Sequence, residues 1–178
     1  MPAKNNNRFR KIALIFLTVL IIGFLLPQPF TMPVEGASIK SYSQNSFWFY
    51  PWGKSVTHKG VDIFAAKGTP IHPATYGIVL FAGKNKIGGN VVLILGPKWR
   101  LHYYAHLDTI KTSFFSLVNN TSIIGTAGST GNAAGKPTHL HYTIRTIFPY
   151  PWQYDKSVQG WKKMFYLNPL PFLNNSVK

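Results

Sequence analysis

Residues 90–107 read Asn-Val-Val-Leu-Ile-Leu-Gly-Pro-Lys-Trp-Arg-Leu-His-Tyr-Tyr-Ala-His-Leu. Two runs rich in Val, Leu, Ile and Tyr, Asn90–Gly96 and Arg100–Leu107, flank a Gly-Pro break, which predicts a short β-hairpin. Runs of the same kind stand at Val61–Ala65, Gly77–Gly83 and Leu140–Arg145, with Gly, Pro and Asn between them. No sustained helical period follows residue 40, and helix is expected at most within Asp108–Leu117 and Ser157–Met164. Short strands with frequent glycines predict a mainly β fold, a small antiparallel sheet or sandwich, rather than alternating α/β units. Two aromatic clusters flank this region, at Phe47–Trp52 and Phe148–Trp161, and are expected to form core and wall.

The chain has 178 residues, 46% of them apolar, which suits one compact domain. Charged residues are only 13% of the total, about half the usual share. Nineteen Lys and Arg against four acids give a formal charge of +15, which favours an anionic partner such as an envelope polymer or a lipid surface. The basic residues are scattered, without the clustered footprint of nucleic-acid binding. There is no cysteine, so disulfides, thiolate metal sites and cysteine nucleophiles are excluded.

At the N-terminus, Lys4, Arg8, Arg10 and Lys11 precede an apolar run, Ile12–Leu26, broken only by Thr18 and Gly23. A basic region followed by an apolar one is the pattern of an export signal. As a helix the run reaches roughly 22 Å, short of a hydrocarbon core of about 30 Å. The expectation is a hydrophobic export helix over residues 1–36, cleaved before Ala37 or kept as an inner-membrane anchor by residues 12–26. A buried core helix fits less well, because the run has no polar face. The remainder, 37–178, keeps fifteen basic and three acidic residues.

Six histidines carry most of the chemical information, at 58, 72, 102, 106, 139 and 141. A single histidine in a strand is most often structural, and His72 and His102 are read so. His58 and Asp62 lie about 13 Å apart in a straight strand, too far for one ion, unless Gly60 bends the chain. His139 and His141 share a strand face, and His106 is expected on the face of His102 and Tyr104. Catalytic zinc takes three N or O ligands and keeps an open position for water. His58, Asp62 and one of the paired histidines supply such a set with a single negative charge, which leaves the ion a strong Lewis acid.

His58-Lys59-Gly60-Val61-Asp62-Ile63, Tyr104-Ala105-His106-Leu107, the glycine-rich Gly125–Gly131 and His139-Leu140-His141 together resemble the M23 (LytM/lysostaphin-type) peptidases. The likeness runs over about residues 49–145, with an aromatic extension over 146–178. It implies a small antiparallel β fold with a catalytic groove. It further implies one zinc ion held by His58, Asp62 and His141, with His106 and His139 as the catalytic pair and peptidoglycan peptide as substrate. This sequence departs from the family in an enlarged loop at Asn132–Thr138, in Tyr142-Thr143, and in the short hairpin between Leu95 and Leu101.

No H-E-x-x-H motif is present and Glu35 lies in the leader, so histidine is expected to handle the proton. The function expected is that of an exported zinc metalloendopeptidase acting on peptidoglycan in the periplasm or cell envelope. The alternative is a non-catalytic relative that binds peptidoglycan or activates a separate hydrolase. The glycines of 125–135 are read as tight turns at the groove rim, since no Lys-Ser/Thr follows as in a phosphate loop.

Overall fold

The computed structural model describes residues 4–177; Met1–Ala3 of the expected leader and Lys178 lie outside them. Among the described residues ten strands follow an N-terminal helix, α1 (Lys4–Leu25). They are β1 (Val61–Phe64), β2 (Pro70–Ile71), β3 (Gly77–Asn85), β4 (Gly89–Gly96), β5 (Arg100–Leu107), β6 (Thr109–Ile110), β7 (Leu117–Val118), β8 (Gly125–Thr126), β9 (His139–Thr146) and β10 (Tyr166–Leu167). A short helix, α2 (Leu170–Ser176), closes the chain.

The main sheet is antiparallel in the order β1-β9-β5-β4-β3-β7, and β10 pairs with the far end of β9. A small sheet, β2-β8-β6, lies beside it. The hairpin read from residues 90–107 forms as expected, with Leu93 opposite Tyr103 and Ile94 opposite His102. Helix does not form in 108–117, which holds β6 and β7, and 157–164 contributes only a 3-10 turn, Gly160–Phe165. The decisive long-range event is the insertion of β9 between β1 and β5, which sets Asp62 opposite His141 and Phe64 opposite His139.

Alternation gives the main sheet two unlike faces. Val61, Ile63, Val92, Ile94, Tyr104, Leu140, Tyr142 and Ile144 form the buried back. This face is covered from both chain ends. Residues 27–36 run across it with Phe30 and Met32 packed on the core, Val34 bridged to Ile71 and only 1% exposed. Thr31 N–H donates to Ala74 O at 2.9 Å and His72 N–H to Pro33 O at 2.8 Å. From the other end, Leu170 and Leu173 of α2 are buried, Phe172 packs beside Phe30, and Asn174 accepts from Tyr42.

A polar chain threads this core. Arg100 donates to Gln28, Gln28 Nε2 lies 3.0 Å from His102 Nε2, and His102 Nδ1 lies 2.6 Å from Tyr142 Oη. His102 is therefore satisfied as a neutral imidazole, in keeping with the structural reading of this residue. Burial, with the Arg100 charge nearby, pushes its pKa down to about 3. The unfolded chain takes up that proton near pH 6.5, so the native state is fully stable above that pH and weakens as pH falls towards 3. The expected loss is about 1.4 kcal/mol per pH unit in that window. Denaturant midpoints measured from pH 7 to 4 should fall less steeply for His102→Gln than for the parent; equal slopes would remove His102 as the cause.

Helix α1 touches the domain at its C-terminal end. Trp99 Nε1–H donates to Leu20 O at 2.9 Å and Lys98 Nζ to Phe24 O at 3.2 Å. A cavity of about 460 Å³ lies at this junction, lined by Gly23, Leu26, Leu95, Trp99 and Leu117 among others. Most of the large apolar side chains of α1 are exposed. Among the described residues, no helix is long and apolar enough to cross a membrane.

Candidate metal centre and groove

The open face of the main sheet forms the floor of a groove of about 320 Å³. Trp52 and Ser55 line it, as do Asn132, Lys136 and Pro137 of the enlarged loop. Asp62, His139 and His141 rise from the floor because β1 and β9 pair in the register given above. His58 arrives from the segment before β1, and Gly60 makes its approach possible. A Cβ there would stand 2.5 Å from Tyr142 O and 2.9 Å from the His141 ring. Gly60 thus serves through close approach of two chain segments, where the sequence suggested a bend.

His58 is 1% exposed and held on two sides. Its Nδ1–H donates to Ser46 O at 2.8 Å, and the Trp52 ring lies against it with centroids 4.2 Å apart. With Nδ1 used as a donor, Nε2 is an acceptor. It lies 3.1 Å from Asp62 Oδ1 and 3.1 Å from His141 Nδ1, and those two atoms are 2.8 Å apart. When His141 Nε2 carries the proton, it donates to Thr143 Oγ1 at 3.1 Å and leaves Nδ1 as a third acceptor.

Three lone-pair atoms therefore converge on one point, and a shared proton or a cation must separate them. Tetrahedral zinc, at about 2.0–2.2 Å from each ligand, sets neighbouring donors roughly 3.3–3.6 Å apart. The observed 2.8–3.1 Å is tighter by some tenths of an ångström, so the donor set fits such an ion once the three side chains move slightly apart. Burial would raise the Asp62 carboxyl, but a proton shared with it by His141 or His58 outweighs burial and holds the group far below the usual range, so Asp62 is a carboxylate. Among the described residues this is the one cluster of metal-binding character.

His106 and His139 complete the groove without joining the cluster. His139 Nδ1–H donates to Pro137 O at 2.7 Å and His106 Nδ1–H to Thr130 O at 2.9 Å. Both therefore offer Nε2 as a base, and their rings lie 5.1 Å apart. His139 Nε2 stands 4.0 Å from Asp62 Oδ2, beyond hydrogen-bond reach. Burial, together with the neighbouring His141, brings His106 down to about 4, so it is neutral at pH 7.

His106 does not share the face of His102 and Tyr104, as alternation predicts. The β4–β5 register shifts between Asn90 and Val92, so Val91 alone stands opposite Ala105 and His106. Such a bulge re-aims a side chain. His106 takes φ 65°, a left-handed conformation that is uncommon for a residue with a Cβ. Two turns pin it there: its N–H donates to Gly88 O, and Gly131 packs on the 87–89 turn so closely that a Cβ would meet Gly89 N at 2.3 Å. The glycine at 131 is thus a rim turn, with φ 69°.

His72 lies elsewhere, 3.2 Å from Glu35 and 2.9 Å from Ser122 O. Sequence reasoning did not single out Trp52, Thr143, Ser46 or Thr130 as supports; only the aromatic clustering around Trp52 hinted at one of them.

The model of peptidase family M23 matches residues 56–158. An L-Ala–D-Glu endopeptidase of Bacillus subtilis (strain 168) is 33% identical over 156 residues, which cover 77% of this chain and 44% of the relative. The catalytic domain of lysostaphin from Staphylococcus simulans superposes with a TM-score of 0.60 at 25% identity, over 76% of this chain and 97% of that domain. A zinc-containing peptidase from Vibrio cholerae superposes with a TM-score of 0.55 at 28% identity, over 65% of this chain and 36% of the other. The chain spans less than half the length of the curated relatives it matches.

Proposed function

The chain belongs to peptidase family M23, and from that membership we propose that it is an exported zinc metalloendopeptidase that hydrolyses peptide bonds in peptidoglycan. The observation that carries this reading is the convergence of three unprotonated donors beside two imidazoles whose Nε2 atoms face the same groove. The names of two relatives, an L-Ala–D-Glu endopeptidase and an antimicrobial peptidase, support a peptide of the cell wall as substrate.

His58 Nε2, Asp62 Oδ1 and His141 Nδ1 would hold the ion. Zinc, when bound, supplies a Lewis acid that lowers the pKa of water and polarises the scissile carbonyl. The protein's own part falls to the remaining pair. Of His106 and His139, both fixed through Nδ1, one accepts the proton of the attacking water at Nε2. That imidazolium's Nε2–H stabilises the tetrahedral oxyanion and then passes the same proton to the leaving amine. Their Nδ1–H bonds to backbone carbonyls keep the tautomer right for each step. A non-catalytic, hydrolase-activating role would not need these five side chains in one groove, and no feature of the groove favours it.

Export is supported by the basic, then apolar, sequence of α1 and by the exposure of most of its large apolar side chains. Residues 12–26 would tether the domain in the periplasm or envelope where they are retained. A reporter active only outside the cytoplasm, fused after Lys178, should register export; a fully cytoplasmic signal contradicts it. Purified zinc-loaded protein should release peptide fragments from isolated peptidoglycan, identified by mass spectrometry. Intact peptidoglycan after exhaustive digestion would remove the hydrolase reading.

A further inference from the structure

Beyond Thr143 the groove opens into a second cleft of about 340 Å³, which shares Tyr103 and His141 with the first. Phe81, Val91 and Leu93 give it an apolar floor, and Lys59 and Arg145 stand at its sides. We propose that this cleft is a subsite for a carboxylate on an acidic peptide substrate, with Arg145 as its principal partner and Lys59 as a second cation. The proposal rests on the peptidase reading above and names the chemical class of peptide that the groove prefers.

Position comes first. His141, Thr143 and Arg145 alternate along β9 on the groove face, so Arg145 lies about 13 Å along the strand from a metal donor. That is the reach of roughly four residues of an extended peptide laid along the floor. Chemistry comes second. The planar fork of the Arg145 guanidinium lies 5.2 Å from the centre of the Tyr166 ring, and both side chains line the cleft. Such a fork matches a carboxylate in a bidentate way. Lys59 Nζ donates to Ser55 O at 2.7 Å and Thr57 O at 3.2 Å, which fixes the second charge without neutralising it.

Lys59 and Arg145 lack an internal counter-ion, as most of the nineteen cations of the chain must, and their joint place on one cleft beside the donor cluster sets them apart. The chain has four acids. Asp62 is in the donor cluster, Asp108 pairs with Lys67, Glu35 with His72, and Asp155 with Lys163. Among the described residues neither Lys59 nor Arg145 meets a carboxylate, and none of the chain's acids is left to supply one. Two cations brought together on one apolar, aromatic cleft next to the donor cluster suit a negative charge carried in by the substrate.

The test uses two otherwise identical cell-wall stem peptides, one with its carboxylates free and one with them amidated, and the full zinc-loaded chain. The parent protein should favour the acidic peptide in kcat/KM by roughly ten- to a hundredfold, mostly through KM. In Arg145→Gln the preference should collapse towards unity with zinc content retained. Arg145→Lys should restore part of it, and Lys111→Gln, which removes a charge away from the cleft, should keep it whole. Equal turnover of both peptides by the parent, or an undiminished preference in Arg145→Gln, overturns the subsite. Should the protein cut neither peptide, the peptidase reading fails on its own. The subsite is then judged by calorimetric titration of the same pair, where equal affinities for the parent protein overturn it.

Discussion

Replacing His139 by Ala is expected to leave a folded domain with close to one zinc per chain and turnover lowered by about a hundredfold or more. The expectation follows from an asymmetry within His139-Leu140-His141. His141 puts Nδ1 within 2.8 Å of Asp62 Oδ1, inside the donor cluster, whereas His139 Nε2 stops 4.0 Å from the other carboxylate oxygen. The first imidazole of the pair is therefore free to act on water and on the developing oxyanion. His106→Ala should behave in the same way, since its nearest imidazole is that of His139. Metal content measured beside kcat for alanine variants at 106, 139 and 141 decides it. Loss of zinc at 139 with retention at 141 would reverse the two roles.

Asp62→Ala should have the complementary signature: loss of stoichiometric zinc, and with it all measurable hydrolysis. Asp62 supplies the only negative charge in the cluster and sits within hydrogen-bond distance of both other donors. Without it, two imidazole nitrogens 3.1 Å apart face each other, and two ligands hold zinc poorly. Asp62→Ala protein carrying a full equivalent of zinc after gel filtration would refute the assignment of Asp62 as a ligand.

The sheet was legible because its strands are apolar, short and bounded by Gly, Pro and Asn, so pattern alone set five of them within a few residues. The paired histidines were legible because a strand has period two, and one look at His139-Leu140-His141 places both on a face. Two features were hidden for definite physical reasons. His106 sits one residue past a register shift that depends on how β4 meets β5, and no local pattern encodes a cross-strand bulge. Helix α2, Leu-Pro-Phe-Leu-Asn-Asn-Ser, is seven residues with a proline, too brief to show a period, and owes its form to Leu170 and Leu173 packing on the back of the sheet. Trp52 belonged to a cluster read as core and wall; it is a wall that also presses on His58. The companion cluster after β9 is in part solvent-facing, with Trp152 75% exposed.

The strap formed by residues 27–42 has a bearing on the order in which the molecule comes into being. It is made early, yet its partners are made late. Phe30 meets Phe172, and Tyr42 and Gln44 bond Asn174, across some 130 to 142 residues of chain. Val34 can be covered only after Ile71 has been laid down, and Gln28 finds His102 only once β5 exists. Contacts of such separation close slowly, since the intervening loop must be gathered first. Until about residue 174 has left the ribosome, the back of the sheet has no lid and the domain cannot finish. A domain whose strap and α2 must meet before the back of its sheet is covered therefore stays unfinished until nearly all of these residues have been made.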